Sequence, residues 1–275
     1  MSALAAVHRQ VGDSPPVCAT RAGAILRLVL SRPQSRNSLS EAMMAAVEEG
    51  LAAAASDSGV RVVVIAAEGS VFSAGHDLKE LTAHRSDRDR GRAYFAAVME
   101  RCSRLMMSIV DHPKPVIAEV AGVATAAGCQ LVASCDLALA SEAARFQTPG
   151  VHIGLFCSTP MVAVSRSVSR KHALEMLLTG DMIPAARAAE MGLVNRAVPA
   201  ADLTAATMAL AEKIASKSPL TVRFGKETFQ RQLDLPLAEA YRVAAEIMVE
   251  NMLARDAEEG IGAFLEKRPP RWEGR

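Results

Sequence analysis

A chain of 275 residues that is 50% hydrophobic holds enough apolar material for one large core, or a core with a helical appendage. A net charge of +1, with 22% charged and 4% aromatic residues, excludes a polyelectrolyte and leaves few platforms for stacking bases, so no nucleic acid is expected as a partner. The five cysteines (Cys18, Cys102, Cys129, Cys135, Cys157) follow no zinc-binding spacing and read as reduced thiols, so no metal is expected. No basic leader with a long apolar run opens the sequence, and no stretch of about 20 apolar residues spans a membrane. The expectation is a cytoplasmic protein.

Residues 1–16 read as a flexible N-terminal extension that ends at Pro15–Pro16. AILRLVLSR (24–32) alternates apolar residues before Pro33 and predicts a strand. Ser40 then caps an alanine-rich amphipathic helix, SEAMMAAVEEGLAAAASD. VRVVVIAAE (60–68) is the near-continuous β-branched run of a strand buried on both faces. A long helix follows from about Arg90 to Asp111, and Pro113 and Pro115 bracket the next buried strand, PVIAEVAG. The interleaved basic and acidic residues of RSDRDRGR (85–92) read as a solvated loop. Alternating strands and helices imply right-handed crossovers and a largely parallel sheet. Short strands at 137–140 and 144–148 precede helices at 158–167 and 170–178 and a helix ending on Gly192. After a last short strand, LVNRAVP, three helices run from about Ala200 to Phe264, broken at Pro219 and Pro236. The expected organisation is a core over 17–199 and a helical region over 200–275.

Two turns carry the chemistry. FSAGHDLKEL (Phe72–Leu81) follows one buried strand and leads toward a helix, with Gly75 allowing a close backbone turn. GVATAAGCQ (Gly122–Gln130) follows the next strand and opens a helix, so it presents a second set of N–H groups. Turns after adjacent parallel strands share the carboxyl edge of a sheet, where α/β proteins bind ligands.

FSAGHDLKEL resembles the first motif of the enoyl-CoA hydratase/isomerase (crotonase) family, and AGVATAAGCQLVASCDLALAS its second. KHALEMLLTGDMIPAARAAEMGLVNRAVP and EGIGAFLEKR are similar to later parts of the family pattern, so the resemblance runs from about Ala24 to Lys267. The resemblance implies an α/β fold, the crotonase (ClpP-like) spiral of ββα units with a C-terminal α-helical trimerisation region, assembled as a homotrimer or dimer of trimers. It implies an acyl-CoA ligand of the kind met in fatty acid metabolism, with coenzyme A as part of the substrate and no separate cofactor. The backbone N–H groups of His76 and Ala127 would form an oxyanion hole for the thioester oxygen and stabilise an enolate. Ala74, Gly75, Asp77, Leu78, Lys79 and Gly128 would line the ligand, with Lys79 and Lys267 as phosphate contacts, Lys267 reaching a neighbouring subunit, and Phe264 near the adenine or the acyl chain.

The family's hydratases carry two glutamates where this chain has Gln130 and Gly150, and one branch of the family, which AGCQLVASCD and TPGVHIGLFCSTPMVAVSR resemble, carries the same two replacements. An amide exchanges no proton near neutral pH and glycine has no side chain, so efficient family-type hydration is not expected. His152, two residues beyond Gly150, is the candidate substitute base, against an ordinary packed or surface histidine. Cys157 is a candidate thiolate at a helix start, against a small buried thiol. Asp136 reads as structural. Two functions remain open: a lyase or isomerase with weak or altered activity, and a non-catalytic acyl-CoA-binding or regulatory oligomer. No Gly-x-Ser-x-Gly elbow supports a serine hydrolase.

Overall fold

The computed structural model of the protein describes residues 15–275, so all but the last two residues of the expected extension over 1–16 lie outside it. The described chain opens with a hairpin, β1 (Val17–Ala22) antiparallel to β2 (Ile25–Leu30), turned by Gly23 at φ +58°. β1 is an addition to the predicted elements: half-buried or exposed throughout, it lacks the apolar alternation that marks β2. α1 (Glu41–Ser56) starts where Ser40 accepts a hydrogen bond from Met43 N–H.

A repeating unit of long strand, short strand and helix then builds the molecule. The first comprises β3 (Val62–Ala67), β4 (Val71–Ser73), α2 (Leu78–Ala83) and α3 (Arg92–Val110). The second comprises β5 (Val116–Val120), β6 (Val123–Thr125) and α4 (Ala127–Ser134). The third comprises β7 (Leu137–Ser141), β8 (Arg145–Gln147), α5 (Ser158–Ser167) and α6 (Arg170–Thr179). β9 (Ile183–Pro184), α7 (Ala185–Met191) and β10 (Arg196–Val198) close the spiral, and Gly192 at φ +88° ends α7.

The long strands form one six-stranded sheet in the order β1-β2-β3-β5-β7-β10, parallel except at the β1 edge. The short strands form a second, four-stranded sheet in the order β4-β6-β8-β9, parallel except at β9. Period-two alternation divides β3 between two cores. Val63 and Ile65 face a large cluster with Leu51 of α1 and Leu105 and Ile109 of α3, while Val62 and Val64 face α8 (Leu203–Ala215) through Leu203 and Ala211.

α9 (Pro219–Gln232), α10 (Leu237–Leu253) and α11 (Arg255–Leu265) complete the chain. The C-terminal region thus has four helices rather than the three expected. Ala254, extended at ψ 146°, separates α10 from α11, and no Gly or Pro marks that break in the sequence.

One buried cation fixes α9 to the core. Lys226 Nζ donates to Asp136 Oδ2 at 2.7 Å and to the carbonyls of Ile109 and Lys114 at 2.9 and 3.2 Å. Asp136 also accepts from Val116 N–H at 2.7 Å. The two side chains are only 7% and 17% exposed. Burial pushes the Asp136 carboxyl up while Lys226 opposes that shift. The pair joins the end of α3, the start of β5 and the start of β7, the structural role expected for Asp136. Replacing one partner strands the other charge, so Lys226→Met is expected to cost about 3–5 kcal/mol in chemical denaturation. A loss under about 1 kcal/mol would show that α9 is held without the pair.

Candidate functional site

The first turn follows β4. Gly75 takes φ +82°, a conformation open to glycine, and its carbonyl accepts Leu39 N–H at 2.7 Å. Leu39 and His76 form an isolated parallel bridge in which His76's own N–H is not used. Asp77 caps α2, accepting from Lys79 N–H at 2.8 Å and from Ser38 Oγ at 3.1 Å. Its carboxylate therefore shapes the turn. Beneath lies Asn37, fully buried at φ 49°, whose side chain accepts from Arg32 N–H and donates to the carbonyls of Glu68 and Val71. The neighbouring Arg36 carbonyl accepts Ala74 N–H at 3.0 Å. The sequence reading missed Asn37; its polar turn-forming segment after Pro33 was the available signal.

The second turn follows β6, and β4 pairs with β6 in parallel, so the two turns emerge side by side. They come from the small sheet rather than directly from β3 and β5. Glycines make the approach possible. A Cβ on Gly128 would lie 2.2 Å from Ser73 O, one on Gly122 2.0 Å from Ser70 O, and one on Gly75 3.0 Å from Ala127 N. The first bond of α4 runs from Gln130 N–H to Ala126 O, leaving Ala127 N–H at the open helix start. Among the described residues neither His76 N–H nor Ala127 N–H has an acceptor. Two free donors on touching turns at a helix N-terminus can hold an oxygen that carries negative charge.

The conformational burden falls on Ala126. Ala127 is helical, but Ala126 takes φ 51° and ψ −121°. A side chain there costs about 1–3 kcal/mol, and the structure holds it by Ala126 N–H bonding to Gln147 O at 2.9 Å.

Neither Gln130 nor Gly150 carries an ionisable side chain. Gln130 is 4% exposed, and its Oε1 lies 3.9 Å from the Cys102 thiol, a donor pushed up to about 11 by burial. Gly150 is buried in a short helical turn, where its N–H meets Cys157 Sγ at 3.3 Å. A Cβ there would lie 3.0 Å from Leu155 O and 3.1 Å from both N and Sγ of Cys157. The loop before α5 has closed over the place of the missing side chain.

Cys157 stands before α5 but is buried, and burial raises its thiol above the ordinary cysteine value. It is a packed thiol rather than an activated thiolate. His152 is exposed, its Nε2 bonded to Thr179 O at 2.9 Å beside Gly180, so that nitrogen is already engaged. His76 presents a different side chain: its Nε2 is buried without a partner, as is Thr125 Oγ1. Burial lowers the His76 imidazole below the ordinary histidine value, which keeps it neutral at pH 7.

Leu78 and Lys79 lie exposed on the first turn of α2. Phe264, 82% exposed at the end of α11, and the exposed Lys267 do not pack onto the two turns within a single chain. Among the described residues no cluster of metal-ligating side chains occurs, and no helix is long and apolar enough to cross a membrane.

Residues 20–275 match the Enoyl-CoA hydratase/isomerase family, and the chain belongs to that family, with its crotonase fold. Human enoyl-CoA hydratase domain-containing protein 3, mitochondrial, is 49% identical over 268 residues, which covers 98% of this chain and 87% of the relative. The crystal structure of that human protein superposes with a TM-score of 0.89 at 51% identity, covering 94% of this chain and all of the other. The crystal structure of an enoyl-CoA hydratase from Mycobacterium smegmatis gives a TM-score of 0.90 at 47% identity, covering 94% and 99% of the two chains.

The buried His76 yields a pH dependence. Its folded-state affinity for a proton is depressed, so the unfolded chain binds that proton first on acidification. The stability it contributes is complete above about pH 6.5 and is lost as pH falls through the lowered folded value. His112, buried and lowered in the same direction, adds to the slope. Denaturant unfolding of His76→Gln between pH 7 and 5 is expected to show a shallower loss of stability than the unsubstituted protein. Equal slopes would show that His76 does not titrate this way.

Proposed function

We propose that the chain binds acyl-CoA thioesters and uses the N–H groups of His76 and Ala127 as an oxyanion hole that polarises the thioester and stabilises its enolate. Coenzyme A arrives as part of the substrate. The single observation that carries the reading is the contact of the two turns, which aims two unsatisfied donors from one small-residue cleft. Because such donors act on charge as it develops, losing one costs roughly 100- to 1,000-fold in rate where the chemistry depends on it.

In this reading hydration of a 2-enoyl-CoA is slow or absent. That reaction needs a base for water and an acid for the α-carbon, each worth roughly 100- to 10,000-fold. Gln130 cannot exchange the proton, and Cys157 fills the space beside Gly150. The same two facts favour a second reading, a non-catalytic acyl-CoA-binding or regulatory oligomer. The exposed apolar residues of α9 to α11, among them Phe229, Leu237, Tyr241 and Phe264, support assembly through these helices as a homotrimer or dimer of trimers. Such an assembly would also place Phe264 and Lys267 against a neighbouring subunit.

Calorimetry with acyl-CoA and with free CoA tests the binding claim: tighter binding of the thioester is expected, and equal affinity would contradict the hole. Steady-state assays across short and long enoyl-CoA chains separate the two readings, since turnover above buffer favours the enzyme. Installing both carboxylates by Gln130→Glu with Gly150→Glu is expected to raise hydration at least about 100-fold. Gly150→Glu alone is expected to cost about 1–3 kcal/mol of stability through crowding of Cys157, with part recovered by adding Cys157→Ala.

A further inference from the structure

We propose that Ala126 is a positioning residue of the oxyanion hole, its methyl group a spacer that sets how far apart the two N–H donors stand. The proposal rests on the acyl-CoA reading above and names a residue that contributes no donor of its own. The two donors belong to the peptide units Gly75–His76 and Ala126–Ala127. The Ala126 methyl faces Gly75: a Cβ placed on Gly75 would fall 2.9 Å from Ala126 Cβ, closer than it would fall to Ala127 N at 3.0 Å or Thr125 O at 3.2 Å. The methyl therefore occupies the space into which a Gly75 side chain would project, and it bounds the gap between the two turns on that side.

Ala126 occupies a backbone region suited to glycine, at φ 51° and ψ −121°. Glycine would remove that strain and also the methyl. Bonds on both sides hold the strained conformation: Ala126 N–H to Gln147 O, which ties it to β8, and Gln130 N–H to Ala126 O, which opens α4. Gly75, opposite, has no Cβ and cannot serve as the spacer itself. A methyl group on one side of the contact and none on the other defines the gap more narrowly than two glycines would. Strain kept at a site where the surroundings over-determine it is a mark of functional positioning.

The test is Ala126→Gly, with binding of an acyl-CoA thioester compared to binding of the S-alkyl-CoA thioether, which lacks the carbonyl oxygen. The substitution relieves strain, so the melting temperature is expected to hold or rise. Thioester affinity is expected to fall about tenfold through loss of donor alignment while thioether affinity stays unchanged. Unchanged thioester affinity, or an equal fall for both ligands, would overturn the spacer role. So would a lowered melting temperature accompanied by no selective loss, which would make the methyl a packing element only. If the unsubstituted protein itself shows no preference for the thioester, the oxyanion-hole reading fails, and that result is distinct from any result with the variant.

Discussion

The near-contact of two backbone turns is the constraint on which the rest of the site depends. Gly75 meets Ala126 and Ala127 at distances that leave no room for a side chain on the glycine. Parallel pairing of β4 with β6 brings the turns to one edge, and Gly122 and Gly128 let the second turn lie on Ser70 and Ser73. Asn37 ties its own segment to the β3–β4 connection and the start of β4, bonding Arg32 N–H, Glu68 O and Val71 O. A displacement of either turn by about 1 Å would separate the donors from a shared oxygen, at a cost of about 100-fold in reactions that depend on alignment.

The site separates two kinds of catalytic resource. Backbone donors survive changes of side chain, because an N–H at a helix start is supplied by the fold whatever residue carries it. Proton transfer does not survive, because it needs a titratable group within reach. Near the turns, Gln130 is an amide, Gly150 N–H meets Cys157 Sγ, and His152 Nε2 is bonded to Thr179 O. The half-buried imidazole of His76 has no partner at Nε2, whereas the Asp77 carboxylate beside it is taken up in capping α2 and bonding Ser38. The proposed function follows that division: backbone donors would polarise a thioester, and no carboxylate stands at positions 130 and 150 to help add water across a double bond.

Much of this was legible in the residues, for definite reasons. Ser40, Gly192 and the β-branched run ending in Val64 and Ile65 announce helix ends and a buried strand because local chemistry decides them. Gly75 and the Ala126–Gly128 stretch announced close backbone approach, since small residues at a strand–helix turn have few other uses. Contacts between distant parts were not legible. Nothing near Lys226 signals that it reaches Asp136, 90 positions away; β1 has no apolar rhythm, and the break at Ala254 lacks a helix breaker. The closure of Cys157 on Gly150 was hidden as well, because a glycine's surroundings are set by the loop that folds over it. The conformational cost at Ala126 was hidden too: helix geometry begins at Ala127, and the strained residue is the one before it.

The most direct measurement is the vibrational frequency of the thioester carbonyl in a 13C=O-labelled acyl-CoA bound to the protein. If the N–H groups of His76 and Ala127 both bond to that oxygen, a clear shift to lower frequency is expected on binding, reduced in Ala126→Gly. A bound thioester whose carbonyl frequency matches that in water or moves higher would contradict the oxyanion hole.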